Sequence, residues 1–478
     1  MLIDVNCVAA SSRAGRLRTI EGIKVAAGSS FVALTATMAM FLQSTLASAT
    51  SSPSVPVSIG HSVAPIYGPW KFRAGDDPEW AGPTYDDSDW ENLDLTPAPG
   101  AHDSDVGLSG YVSGWNAKGH AGYVGFAWYR VHLNLTAPAA SQLALLGPPA
   151  VDSAYQMFVN GRLVGGAGDF SGRVPVAFSI QPRKLPLPQF SAADLNATPE
   201  VLAIRVWMGP WATEDPTAGG IHIAPMIGEA AGIDGRYRLQ WLQIVTGYIV
   251  EVAEALMFVL LAVMACSLIP LDRTNPAYRA LAVALVLTAL YRANQAFFFW
   301  TQYESVRDFE LLVPVLLVPL ILAGWTLAWS AWFEGHQVVQ IRRTVVVLTL
   351  IYMGAQFCRR SWFHDVISRS LSDGLHATIT CVRLAFLAVL TFICIQGLRL
   401  RGRDGWLPLL AVTTIAIGLF AQELSAIHIQ GIWFPFGTGV SRTQFAYAAF
   451  GVLLFVLLLR QLYALAVSRD QTRMAKTE

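Results

Sequence analysis

From Trp241 to Tyr463, apolar blocks of about twenty residues follow one another with short polar interruptions, and runs of that length read as membrane-spanning helices. The blocks are Gln243 to Ile269, Tyr278 to Thr301, Leu311 to Phe333, Thr344 to Phe357, Leu371 to Leu400, Trp406 to Ile427, and Gln444 to Tyr463. At a rise of about 1.5 Å per residue most of them cover the roughly 30 Å hydrocarbon layer, the fourth being short. From about Tyr67 to Gly228 the pattern changes to short alternating apolar segments punctuated by Gly, Pro and Asp, which predicts an all-β sandwich. Candidate strands are Phe126 to Leu135, Gln142 to Leu146, Ala154 to Val159, Arg162 to Val164, Val174 to Ile180, Val201 to Trp207 and Ile221 to Ile227. Asn160-Gly161 between two of these is a hairpin signal, because a type I′ turn needs positive φ at both central residues.

Ahead of the strands, Arg13, Arg16, Arg18 and Lys24 precede an apolar segment from Phe31 to Leu46 and the small residues Ala47-Ser48-Ala49. This predicts a signal peptide or retained anchor over 1–49, with a Ser/Pro/Val-rich linker over 50–66. The sandwich then occupies 67–236, the helices 241–463 and a tail 464–478. With the first helix running inward, Arg273, Arg279, Arg342, Arg343, Arg399, Arg401, Arg403 and the tail's Arg460, Arg469, Arg473 and Lys476 fall inside. Arg307, Arg359, Arg360, Arg369 and Arg442 fall outside. The balance favours an extracytoplasmic sandwich and a cytoplasmic C-terminus.

Composition agrees: 54% hydrophobic and 14% charged over 478 residues is too apolar for a soluble chain. The net charge of zero shows no nucleic-acid footprint. The five cysteines avoid 50–240, so no disulfide is expected in the sandwich, and those in the helical blocks read as packing residues. No metal-ligand spacing appears, and no cofactor is expected.

Within the strand region, Trp70-Lys71-Phe72 with Gly75-Asp76, then Tyr85-Asp86-Asp87-Ser88-Asp89-Trp90, Trp128-Tyr129-Arg130, Phe158-Val159-Asn160-Gly161 and Leu202-Ala203-Ile204-Arg205-Val206 follow in order. They resemble the sugar-binding jelly roll at the N-terminus of family 2 glycoside hydrolases. The resemblance implies a galactose-binding-like jelly-roll sandwich, with Trp90 and Trp128 filling it and Asp86 and Asp87 fixing a turn. A ligand site would lie where loops converge. The loop Ala98 to Val124 offers His102, Tyr111, Trp115, Asn116 and His120, and Trp207 to Asp215 adds Trp211 and Glu214. Aromatic rings beside hydrogen-bonding groups suit carbohydrate, whose C–H faces stack and whose hydroxyls need partners. Trp115 and Trp211 could equally pin the loops to the sandwich.

Signal peptide, jelly roll and an all-α seven-helix transmembrane bundle, in that order, resemble the bacterial seven-transmembrane receptors with diverse intracellular signalling modules. That resemblance implies ligand sensing outside and relay to a cytoplasmic output module. The tail Ala464 to Glu478 is too short to bury a core, so it reads as a docking stub for a separate signalling protein or a truncated remnant. Inside the bilayer each ionisable group costs several kcal/mol unless paired or hydrated. Glu251 and Glu254 share a face of the first helix, and Arg292 lies at matching depth on the second, so a pair is expected. Arg383 and Glu423 could extend this network, as a bistable relay or as a static pin. Pro314 and Pro319 imply a kink in the third helix.

Local enzyme motifs are missing: no Gly-x-Ser-x-Gly elbow, no phosphate loop and no His-Glu-x-x-His helix. There is also no room for the separate barrel that carries the acids of family 2 hydrolases. The expectation is therefore a receptor without enzymatic activity, in contact with membrane lipid and binding a small-molecule or carbohydrate ligand. A homodimer is left open. The alternatives are a transporter, or an envelope adhesion protein with a passive bundle.

Overall fold

The computed structural model describes residues 63–133, 142–187, 200–210, 216–333, 338–360, 369–429, 431–433 and 440–477. The segment expected to be a signal peptide or anchor lies outside these residues, as do Trp211 and Glu214.

Among the described residues the N-terminal region holds twelve strands: β1 Val63–Pro65, β2 Trp70–Ala74, β3 Glu91–Leu93, β4 Gly125–Leu133, β5 Leu143–Leu146, β6 Val151–Asp152, β7 Ala154–Val159, β8 Arg162–Ala167, β9 Lys184–Pro186, β10 Glu200–Met208, β11 Gly220–Ile221 and β12 Met226–Glu229. One sheet has six strands in the order β3-β2-β4-β10-β7-β8 and the other has four in the order β1-β12-β5-β9; β6 and β11 form a short ribbon. Every pairing is antiparallel.

The period-two geometry of a strand explains why β4 and β10 are apolar almost throughout. One face of the pair, with Tyr129, Val131, Leu202 and Ile204, shares a core with Leu145 and Leu185 of the smaller sheet. The opposite face is covered as well, because Trp128 and Ala203 pack with Trp80, Trp90 and Phe158. Between these rings Arg130, fully buried, donates to Asp87 at 2.8 Å and to the carbonyls of Gly82 at 3.0 Å and Tyr85 at 3.3 Å. Asp87 thus fastens a turn to β4, while Asp86 caps that turn by accepting from the Ser88 N–H at 3.0 Å. The β7–β8 turn has Asn160 at φ 49° and Gly161 at φ 81°, the geometry its sequence predicts.

Two expectations change. The lead segment joins a sheet early, since β1 pairs with β12 inside the stretch expected to be linker. The segment Val174 to Ile180 adds no strand to either sheet. It reaches the helical part instead, with Phe178 bridged to Ser305 and the Ala177 carbonyl accepting from the Val306 N–H at 2.9 Å.

The C-terminal part is helical: α1 Ala230–Leu268, α2 Pro276–Trp300, α3 Val306–Trp332, α4 Val338–Cys358, α5 Arg369–Arg401, α6 Trp406–Leu419 and α7 Arg442–Thr477. Among the described residues six stretches are long and apolar enough to cross a membrane, and one of them, Ser370–Leu419, takes in both α5 and α6. The sequence reading expected seven separate spans. The sixth block is cut at Phe420, where Arg383 draws off the Leu419 carbonyl with a 2.9 Å hydrogen bond, and a short helical turn Ala421–Ala426 follows. In α3 the segment Leu311–Leu317 is a π-helix containing Pro314, so the missing proline N–H is absorbed by a widened turn.

Helices pack through small residues: a Cβ on Gly324 would lie 3.4 Å from Ala284, and one on Gly451 would collide with Met257. Trp325 and Trp329 fill the centre, Trp325 crossing the ring of Phe450 at 4.9 Å. Leu256, Val259, Leu260 and Val263 of α1 and Val452 and Leu459 of α7 are exposed. Bare apolar side chains on helices of this length are solvated by lipid, so the chain is a multi-pass membrane protein.

Candidate functional site between the sheets and the helices

Strand β12 runs into α1 at Glu229 with no intervening linker, so the smaller sheet is continuous with the first helix. Ile233 packs beneath Ala144 and Leu146 of β5. The second attachment is a loop of the sheet domain, Asp103 to Leu108. Its fold comes from Asp103, whose carboxylate accepts from the N–H groups of Asp105 and Val106 at 2.8 Å each and from that of Leu108. Gly107, at φ 77°, lets the chain turn there.

The wound loop sits on α1. Val106 presses on Gly247, where a Cβ would come within 2.5 Å of it, and the Gly107 carbonyl accepts from Gln243 at 2.8 Å. Val106 and Leu108 share an apolar cluster with Ile223, Ile244, Tyr248 and Ala296. At the tip, the carboxylate of Asp105 accepts the hydrogen bond of the Tyr248 hydroxyl.

Two cavities meet at this contact. The outer one, about 400 Å³, is lined by Asp103, Tyr111, Asp152, His222, Phe178 and Phe298 among others. The inner one, about 210 Å³, is lined by Glu251, Tyr291, Arg292, Gln295, Ser441 and Gln444. Asp105, Tyr248 and Phe299 line both, with Tyr248 and Phe299 stacked at 4.1 Å. Asp105 is exposed to this space, but the protein packed around it still penalises its charge. That desolvation, with the Asp103 and Glu251 charges acting in the same direction against the Tyr248 hydrogen bond, pushes its carboxyl up to about 6. Asp152 behaves oppositely. Desolvation opposes its ionisation, but the hydrogen bond and charge of His222 and the Gly219 N–H hold its carboxyl below the ordinary range.

Below the inner cavity lies the buried charge cluster. Arg292 on α2 donates to Glu254 at 2.5 Å and to Glu251 at 2.8 Å, both on α1, and Gln444 on α7 donates to Glu251 at 2.9 Å. Three helices are joined through one glutamate. Oε2 of Glu251 and Oε1 of Glu254 accept no hydrogen bond among the described residues. Arg383 and Glu423 form a second centre, paired with each other and tied by Tyr352, whose hydroxyl receives Arg383 at 3.0 Å. Between the centres, Arg292 lies over the Tyr447 ring at 5.4 Å and Arg383 over the Phe420 ring at 5.7 Å.

The residues read from the loop go to different places. Trp115 is fully buried in the sheet core beside Phe72 and Tyr123, with Gly219 and Gly220 against its ring, so it presents no face to a ligand. Asn116 is buried too and accepts from the Gly122 N–H at 3.1 Å. His120 meets Glu91 at 2.6 Å, and His102 meets the Asp103 carbonyl at 2.8 Å. Tyr111 lies at the outer cavity, stacked on His222 at 5.0 Å. Sequence reasoning passed over Tyr248 and Gln444 and gave Asp105 no separate role. Tyr248 stands three positions before Glu251 on one helix face, and Gln444 is a polar residue at the mouth of the last apolar block; those were the available signals.

No protein-family model matches the chain, and no curated protein matches it. Among solved structures it is similar to a Bacteroides uniformis β-glucuronidase at 22% identity and TM-score 0.25, over 34% of this chain and 17% of that one. A β-glucuronidase from glycoside hydrolase family 2 is similar at 16% and TM-score 0.25, over 36% and 18%. Bifidobacterium dentium β-glucuronidase complexed with coumarin-3-O-glucuronide is similar at 14% and TM-score 0.24, over 34% and 29%. The chain thus spans less than a third of the length of each. These neighbours are hydrolases, and the expectation that the chain lacks enzymatic activity is corrected accordingly. That expectation leaned on missing local motifs and on the lack of room for a separate catalytic barrel. Likeness at this level assigns no activity or substrate to the chain.

Proposed function

We propose that the chain is a membrane signal-transduction receptor, in which the sheet domain faces the extracytoplasmic side of a bacterial inner membrane and a small ligand enters the junction cavity. The sheet domain is a galactose-binding-like jelly roll, and the architecture is that of the seven-transmembrane receptors with diverse intracellular signalling modules. The observation that carries the reading is the loop Asp103 to Leu108, which ends on α1 at Tyr248, one helical turn from Glu251. A ligand that displaces this loop alters the environment of a glutamate on which α2 and α7 also depend. The Glu251, Glu254 and Arg292 cluster is then a relay toward a cytoplasmic partner. A passive anchor would not need its sheet domain wedged against a buried charge.

The test is a thermal-unfolding screen of the full chain in lipid nanodiscs against saccharides, amines and amino acids. A ligand that binds the folded state alone stabilises it by about 2.7 kcal/mol at a hundredfold excess over its dissociation constant. A saturable shift that is lost in Asp105→Asn supports the reading. A panel with no shift, or shifts indifferent to the junction, contradicts it.

A further inference from the structure

The inner cavity is unbalanced in charge. Around it stand Asp105 of the loop, Glu251 with Glu254 just below, and the single guanidinium of Arg292. Glu251 is only 7% exposed, it lines the cavity, and its Oε2 has no hydrogen-bond partner among the described residues. That oxygen is closed off from the cavity, so a ligand there meets Glu251 through its charge and not through a bond to Oε2. Among the described lining residues, Ser441 just ahead of α7 and Gln444 on it are uncharged, and Gln444 is already committed to Oε1.

Shape selects among the candidates. The walls include the rings of Tyr248, Tyr291 and Phe299, and aromatic faces attract organic cations. Among the described residues no group of three or more His, Cys, Asp or Glu side chains could hold a metal ion. A volume of about 210 Å³ admits a small ammonium group and excludes a bulky ligand. The raised carboxyl of Asp105 fits a site awaiting a cation.

We propose that the inner cavity binds the ammonium group of a small organic cation, held between the carboxylates of Asp105 and Glu251 and the rings of Tyr248, Tyr291 and Phe299. This rests on the receptor reading for its consequence, since it names the charge of the ligand, but the binding itself can be tested apart from signalling. The outer cavity, open to Tyr111, Asp152 and His222, takes the remainder of such a molecule.

The probes are methylammonium and tetramethylammonium chloride, titrated into the full chain in nanodiscs with sodium chloride at equal ionic strength as control. Thermal unfolding and calorimetry are read in wild type, Asp105→Asn, Glu251→Gln and Tyr291→Leu. Saturable binding of at least one ammonium, absent with sodium and weakened tenfold or more in Asp105→Asn, is expected. Should Glu251→Gln fail to fold, Asp105→Asn and Tyr291→Leu, which leave the Arg292 pairs in place, still decide. Equal effects of sodium and ammonium, no saturable binding, or binding unchanged in these variants would overturn the proposal. A shift by neutral saccharides alone would overturn it while leaving the receptor reading intact. Ammonium binding without any change at the cytoplasmic end of α7 would count against the receptor reading instead.

Discussion

The hydroxyl of Tyr248, in the first membrane helix, donates its hydrogen bond to the carboxylate of Asp105, in a loop of the sheet domain. Residues 143 apart in the chain thereby join the two halves of the protein at one point. Tyr248→Phe keeps the ring and its stacking on Phe299 and removes only the donor. A hydrogen bond to a charged group contributes about 1.5–3 kcal/mol, and a loss of that order is expected in unfolding of the full chain in detergent. Hydrogen exchange at residues 103–108 should accelerate with it; protection unchanged in the variant would mean that the loop is held by its apolar contacts alone.

The same carboxylate gives stability a pH dependence. Its folded value, about 6, lies above the ordinary 3.8, so the folded state holds this proton more tightly than the unfolded chain. The stability it confers is complete below the ordinary value and is lost as pH rises through about 6. Asp105→Asn should flatten the stability curve of the full chain from about pH 4, near the ordinary value, to about pH 7, roughly one unit above the folded one. A fall of the same size in the variant would assign the dependence to other groups.

Arg292 satisfies two glutamates at once. Arg292→Met leaves two buried carboxylates without a counter-charge, which costs about 3–5 kcal/mol. Glu254→Gln, which leaves Arg292 paired with Glu251, should cost less. Midpoints of thermal unfolding in nanodiscs measure both, and an Arg292→Met midpoint equal to wild type would show that the cluster is hydrated rather than dry.

Trp115→Ala removes a fully buried indole from the sheet core. A loss of about 3–5 kcal/mol follows from the cavity it leaves. Circular dichroism of the variant should show the sheet domain melting early, whether or not ligand is present. A variant as stable as wild type that fails to bind ligand would return Trp115 to the binding site.

How much of this was legible in the sequence depended on how local the cause was. The Asn160-Gly161 hairpin was legible because positive φ at two adjacent positions is a property of those residues alone. The Glu254–Arg292 pair was legible because depth along two adjoining helices can be counted and a buried charge must find an opposite one. The burial of Trp115 was not, because it depends on Gly219 and Gly220, far along the chain, approaching its ring. The Asp105–Tyr248 contact was equally hidden, since nothing in a loop sequence says on which helix it will land. The sixth block misled for a related reason: its apolar run, which hydropathy reads as continuous to Ile427, breaks at Phe420, where Arg383 of another helix takes the Leu419 carbonyl.

On the proposed reading, occupancy at the junction reaches the C-terminal end of α7 through Glu251 and Gln444. The measurement that tests it most directly is hydrogen exchange of the last turns of α7, Val467 to Thr472, in the full chain in nanodiscs. It is read with and without saturating methylammonium, in wild type and in Gln444→Leu. A change on ligand addition in wild type that disappears in Gln444→Leu is the expected result. Exchange that ligand leaves untouched in wild type, or alters equally in both proteins, would contradict the relay.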